Sequence, residues 1–109
     1  MSHSSEISSS VGTRLLFENE AVRVWDLQLA PDESTGQHRH EHDYLYVVIG
    51  DGRLRRVDPD GTRHPPQEMA DGEVHFRNVE TEAVHAAVNA GESTWRNIVV
   101  ELKRQCSSD

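Results

Sequence analysis

The chain has 109 residues, enough for one domain with one modest core. Nineteen Asp and Glu oppose eleven Lys and Arg, a net charge of −8, so the balance offers no general attraction to phosphate backbones or anionic lipid, and neither nucleic acid nor a membrane is an expected partner. The single cysteine, Cys106, excludes an intrachain disulfide and a Cys-x-x-Cys zinc site.

No apolar run is long enough to span a bilayer, and the first residues lack the charged-then-apolar pattern of a secretion signal, so a cytoplasmic location is expected. Residues 1–12 are Ser-rich and polar and read as a disordered arm, to which His3 belongs. A single domain is expected over 13–104, with a polar tail at 105–109. Order begins near Arg14-Leu15-Leu16-Phe17 and turns at Glu18-Asn19-Glu20. Ala21 to Ala30 alternates β-branched, aromatic and polar residues, a strand signature. Pro31 to Gly36 is a loop by its Pro, Ser and Gly content.

The next stretch, Gln37-His38-Arg39-His40-Glu41-His42-Asp43-Tyr44, holds three of the seven histidines at alternate positions. In an extended strand, alternate residues share one face. His38 and His40 can therefore aim two imidazoles at one point, with His42 joining them if the strand stays regular. Neutral imidazole is a common ligand for zinc, iron, copper and nickel.

Tyr44 to Ile49 is the most apolar strand, and Gly50-Asp51-Gly52 turns it into Arg53 to Val57 as a hairpin. The Arg53-Leu54-Arg55-Arg56 run reads as a solvated strand face, with binding of an acidic substrate as its functional alternative. Asp58-Pro59-Asp60-Gly61 is a turn leading to Thr62-Arg63-His64, a strand that Pro65-Pro66 interrupts or confines to an edge. Glu73 to Arg77 is a strand after the Asp71-Gly72 turn, and Asn78 to Glu82 is a polar connection. Ala83 to Asn89 and Thr94 to Lys103 complete the set, with Ile98, Val100 and Leu102 on one face. No amphipathic helix of three turns is visible. Short strands with turns about every ten residues predict an all-β sandwich or barrel.

His85 opens a segment that ends at Asn89, some forty-five residues after His40. Two ligands from one strand and a third from a strand returning late in the chain would build a site in a barrel mouth. His64 is read as a surface residue, and His75 is left out of the site. Tyr46 and Trp25 are read as wall or core.

This joint pattern resembles the cupin family, a double-stranded β-helix or jelly-roll barrel with two motifs, Gly-x5-His-x-His-x(3,4)-Glu-x6-Gly and Gly-x5-Pro-x-Gly-x2-His-x3-Asn. The first is matched by Asp32, His38-Arg39-His40, Tyr44 and the Gly50-Asp51-Gly52 turn; the second is matched at its end by His85 and Asn89. The wording from about Arg14 to Lys103 is similar to small single-domain cupins connected with β-alanine degradation. Asp32 replaces the first glycine, Tyr44 stands where the glutamate ligand is usual, and the Pro-x-Gly turn is missing. Asp43 also fits the spacing to Gly50, but regular alternation would face it away from His40. The segment from Gly72 to His85 is about two residues longer than the motif. At a shorter spacing Glu82 would take the ligand position. His85 is preferred because His-x3-Asn and the last strand then match without a gap.

The resemblance implies one divalent transition metal (Fe, Ni, Mn, Cu or Zn) on His38, His40 and His85, with His42 as a fourth ligand or a supporting group. Tyr44 would be a hydrogen-bond donor beside the metal, a weak ligand or a core aromatic, and Asn89 a supporting or pocket residue. Oxygen-dependent, dioxygenase-like oxidation of a small organic molecule is the implied reaction class. A non-enzymatic small-molecule binding or sensing module is the alternative. A metal-free isomerase or lyase using His85 as acid/base is a third. Small cupins commonly form homodimers by pairing edge strands or swapping a terminal one, and a homodimer is expected here.

Overall fold

The computed structural model describes residues 10–79 and 84–103. Among these, nine strands and no helix are found: β1 (Arg14–Glu18), β2 (Val22–Leu29), β3 (His38–Arg39), β4 (Tyr44–Val48), β5 (Gly52–Val57), β6 (Gln67–Met69), β7 (Val74–Arg77), β8 (Val84–Asn89) and β9 (Trp95–Leu102). They form a five-stranded sheet ordered β1-β2-β9-β4-β7 and a four-stranded sheet ordered β3-β8-β5-β6. Every pairing is antiparallel, and most neighbours are distant in sequence, as in the expected jelly-roll barrel. No helix of the described residues is long and apolar enough to cross a membrane.

Alternation decides which residues enter the space between the sheets. Along β9, Trp95, Asn97, Val99 and Glu101 point inward, whereas Ile98, Val100 and Leu102 form the outer, half-exposed face. Leu27, Leu29, Val48, Met69 and Trp95 make one apolar cluster; Val11, Trp25, Tyr44 and Val99 make another; Tyr46 packs against both. Val11 is only 3% exposed, so packing starts two residues before the expected boundary at residue 13. The rest of the expected arm, residues 1–9, lies outside the described residues, as do Cys106 and the tail at 105–109.

The Gly50-Asp51-Gly52 turn forms as expected. Gly50 has φ 79°, a left-handed conformation that glycine adopts without penalty. A Cβ on Gly52 would lie 2.8 Å from Trp95 Cε3, so glycine there admits the indole beneath the turn. The chain between β5 and β6 differs from expectation. Thr62-Arg63-His64 contributes one isolated bridge, Val57 to Arg63, and the strand forms after the two prolines, at Gln67–Met69. That strand pairs only with β5, an edge position that tolerates neighbouring prolines.

Candidate metal centre and its cavity

The β3–β8 ladder sets His38 directly opposite His85. Both imidazoles therefore leave the same face of the sheet. β3 ends after Arg39, and His40, the next residue of the same parity, lies beside His38. The three rings meet edge-on or stacked, with centroids 4.7–5.0 Å apart. One nitrogen from each lies within 4.8 Å of the others.

The tautomer of His38 follows from its neighbours. Thr35 Oγ1 donates to the Gly36 carbonyl at 2.8 Å and accepts from the Ala87 amide at 3.0 Å. His38 Nδ1 lies 3.1 Å from both Thr35 Oγ1 and the Gly36 carbonyl, so the proton sits on Nδ1 and the Nε2 lone pair faces the cluster. His38 Nε2 and His40 Nε2 are 3.1 Å apart. Two nitrogens bound to one ion at about 2.0–2.1 Å sit about 2.9–3.4 Å apart at ligand angles of about 90–110°.

Burial keeps the His38 and His40 rings neutral. His38 and His40 are 4% and 3% exposed. Desolvation, followed by the neighbouring His38 and His85, pushes the His40 pKa down to about 2. Desolvation also lowers that of His38, opposed by its hydrogen bond to Gly36. His40 Nδ1 is buried without a protein partner. Three converging imidazoles, two of them held neutral by burial, with such an orphaned atom fit a divalent transition metal, and the donor set does not choose among Fe, Ni, Mn, Cu and Zn.

Other expected site residues are placed differently. His42 is outside the cluster, because β3 stops at Arg39 and the alternation that would have carried it inward is broken. Asp43 Oδ1 accepts from the Val79 amide at 2.9 Å, which commits this carboxylate to the chain after β7. Glu82 lies outside the described residues. Tyr44 is at the site, its ring stacked on His40 with centroids 3.8 Å apart. Asn89 is 1% exposed and bonds to Leu29, Gly91 and Ser93, holding the turn before β9 instead of lining the cavity. His75 stacks on Tyr46 and contacts Glu73. His64 pairs with Asp58 at 2.9 Å and reaches the cavity rim.

The cluster opens into a cavity of about 610 Å³ between the sheets. Its apolar wall includes Leu27, Leu54, Met69 and Val99, and its polar wall includes Gln67, Arg77 and Asn97. Arg56, read from sequence as part of a solvated face, lines this cavity too. Register explains its position: Arg56 pairs with Ala87, two residues from His85 on the same strand face. Arg77 and Thr35 are functional candidates that the sequence reading passed over. For Arg77 the available signal was parity with the β4 tyrosines; for Thr35 none existed before the loop was seen folded against β8.

No protein-family model matches the sequence. The chain is 36% identical over 86 residues to the beta-alanine degradation protein BauB of Pseudomonas aeruginosa, covering 79% of this chain and 86% of that protein. A cupin domain from Bordetella pertussis Tohama I superposes with a TM-score of 0.74 at 24% identity, covering 91% of this chain and 98% of that one. A Cupin 2 conserved barrel domain protein from Salinispora arenicola CNS-205 gives a TM-score of 0.59 at 22% identity, covering 80% and 71%.

Proposed function

Because the chain belongs to the cupin family, we propose that His38, His40 and His85 hold one divalent transition metal and that the adjoining cavity brings a small organic molecule to it. The convergence of three imidazoles from β3, the following loop and β8, two of them buried and neutral, carries this reading. When bound, the metal supplies a Lewis-acid or redox centre. Of the candidate reactions, oxygen-dependent oxidation of the organic molecule is the one put forward.

The protein's own groups orient and enclose. Thr35 and the Gly36 carbonyl fix the His38 tautomer, and Tyr44 fixes the plane of His40. Leu27, Leu54, Met69 and Val99 give the cavity an apolar wall for the organic part of a ligand. None of the described residues lining it is Asp or Glu, so among them no carboxylate stands ready as a general base. That same feature favours a second reading, a small-molecule binding or sensing module without catalysis.

Plasma mass spectrometry of protein purified without a histidine tag or chelator tests the centre. About one equivalent of a single transition metal is expected, lost in both His38→Ala and His85→Ala. Full metal content in both variants would overturn the assignment. Oxygen uptake with candidate organic acids and thiols separates the two readings, since a binding module consumes none.

We also propose that the chain forms a homodimer through the outer face of the five-stranded sheet. Phe17 and Val24 pair across β1–β2, Val24 and Val100 across β2–β9, and Val47 and Val74 across β4–β7, so the apolar face is continuous. Phe17, Val74 and Phe76 are 54%, 59% and 55% exposed. Five strands at about 4.8 Å spacing give a patch of a few hundred Å², the core of an interface needing about 800 Å² per partner. This face carries little of the net negative charge that would hold two copies apart: its charged strand positions are Arg14, Asp26 and Arg96, of which Asp26 and Arg96 neutralise one another. Light scattering after gel filtration should give twice the chain mass, and the single mass in Phe17→Asp/Val74→Glu; a monomeric wild type sinks this proposal.

A further inference from the structure

The cavity wall is charged against the grain of the chain. The sequence carries nineteen Asp and Glu and eleven Lys and Arg, yet the described lining residues include two arginines and no carboxylate. The arginines enter from opposite sheets, Arg56 from β5 and Arg77 from β7.

They are not equivalent. Arg56 Nε lies 3.3 Å from Asp58 Oδ1, and its Nη2 lies 3.4 Å from His64 Nε2, so its charge is already shared at the rim. Arg77 has no carboxylate partner among the described residues. One of its N–H groups donates to the Phe76 carbonyl at 3.0 Å, and its Cζ lies 5.8 Å from the Tyr46 ring centre. A guanidinium has five N–H donors in a planar fork, and among the described residues this carbonyl is the one acceptor it meets. The β4–β7 register sets Arg77 directly opposite Tyr44, the residue stacked on His40. Cross-strand neighbours have Cβ atoms about 4.5–5.5 Å apart. Arg77 thus starts across from the tyrosine that packs on the cluster, its guanidinium lies by Tyr46, and it lines the same cavity as the three histidines.

We propose that this cavity selects a small organic carboxylate, with Arg77 binding the carboxylate group and the rest of the molecule lying along Leu27, Leu54, Met69 and Val99 toward the histidines. A single available fork suits a planar, singly charged carboxylate; a dianionic phosphate would leave one charge unmatched. The inference rests on the reading of this cavity as the ligand space of the metal centre, and it specifies what that space admits.

The test compares acids with their uncharged isosteres. Propionate, butyrate and benzoate, and propionamide, butyramide and benzamide, are titrated calorimetrically into the wild type, Arg77→Gln, Arg77→Lys and the exposed-site control Arg39→Gln. At least one acid should bind tenfold or more tighter than its amide to the wild type and the control. Arg77→Gln should remove that preference, and Arg77→Lys, which keeps the charge and loses the fork, should recover part of it. Equal binding of acids and amides, no acid binding below about 10 mM, or an unchanged preference in Arg77→Gln would each overturn the proposal. Should Arg77→Gln fail to fold, the acid-to-amide ratio of the wild type and of Arg77→Lys decides alone. Metal content is measured on the same samples. A metal-loaded protein indifferent to the acid–amide pair refutes this inference only; a metal-free protein that keeps the preference refutes the metal centre only.

Discussion

Tyr44 lies flat against His40, with ring centroids 3.8 Å apart and planes 8° from parallel. It occupies the position that the family motif gives to a glutamate ligand, and it is itself only 4% exposed. The ring thus replaces a charged ligand by an aromatic surface that fixes how His40 is turned. Removing groups that orient metal ligands typically costs 10–100-fold in affinity. Tyr44→Ala should weaken metal binding by about that factor, whereas Tyr44→Phe, which keeps the stack, should stay within about threefold. Competition titration with a chelator measures both. Equal losses in the two variants would show that the hydroxyl, and not the stack, matters.

The neutrality of the histidines makes the metal-free protein sensitive to mild acid. Burial, then the neighbouring rings, holds His40 down to about 2, while His38 is lowered by the same desolvation. An unfolded chain takes up these protons near pH 6.5. Between the two values the unfolded state binds more protons, so stability rises with pH there. It is fully present above about 6.5 and is lost progressively as pH falls toward about 2, by up to about 1.4 kcal/mol per pH unit per histidine. The carboxylates with shifted values, Glu18, Asp26, Asp60 and Glu73, are all lowered and so titrate below this upper window. Urea midpoints at pH 7.0 and 5.0 should differ clearly in the wild type and less in His40→Gln. A flat profile would contradict the burial of these rings.

The class of fold was legible because alternation and turn residues occur at regular intervals, and β2, β4, β8 and β9 form where the pattern indicates. The pairing of His38 and His40 with His85 was legible too, through spacing and resemblance. Extrapolation failed where a strand stopped. His42 was carried inward by an alternation that ends at Arg39. Asn89 has the parity of His85, but its face continues past the cavity into the packed end of the barrel, where parity no longer means access. Asp32 looked like a departure from the motif glycine; its φ of 69° shows the same left-handed conformation, which Asp tolerates better than most residues. β6 was invisible because three residues after two prolines carry no period at all.

Glu101 is a buried carboxylate that belongs to the scaffold. It is 1% exposed, accepts from Trp25 Nε1 at 2.8 Å and lies 3.0 Å from Arg23 Nε. β9 sets it opposite Tyr44, behind the metal centre. Glu101→Ala leaves an indole N–H and a guanidinium without their acceptor, and should cost about 3 kcal/mol or more. Trp25→Phe removes only one donor, for about 1–2 kcal/mol beyond lost packing. Denaturant titration of both variants and the double variant should show coupling of at least about 0.5 kcal/mol. Additive losses would mean that the two side chains act independently.

Asn89 separates the scaffold from the site most cleanly. Its Nδ2 donates to the carbonyls of Leu29 and Ser93 at 2.9 and 2.8 Å, and its Oδ1 accepts from the Gly91 amide at 2.8 Å. These bonds tie the end of β2 to the turn between β8 and β9. Asn89→Ala strands three backbone groups, and leaving a buried group unsatisfied costs about 1–3 kcal/mol. Partial access of water at the turn reduces the sum, so a loss of about 2–3 kcal/mol is expected. Metal stoichiometry should not change, because no atom of Asn89 takes part in the histidine cluster. Thermal melts and metal analysis on the same preparation give both readouts. A variant that keeps its melting temperature and loses its metal would return Asn89 to the site.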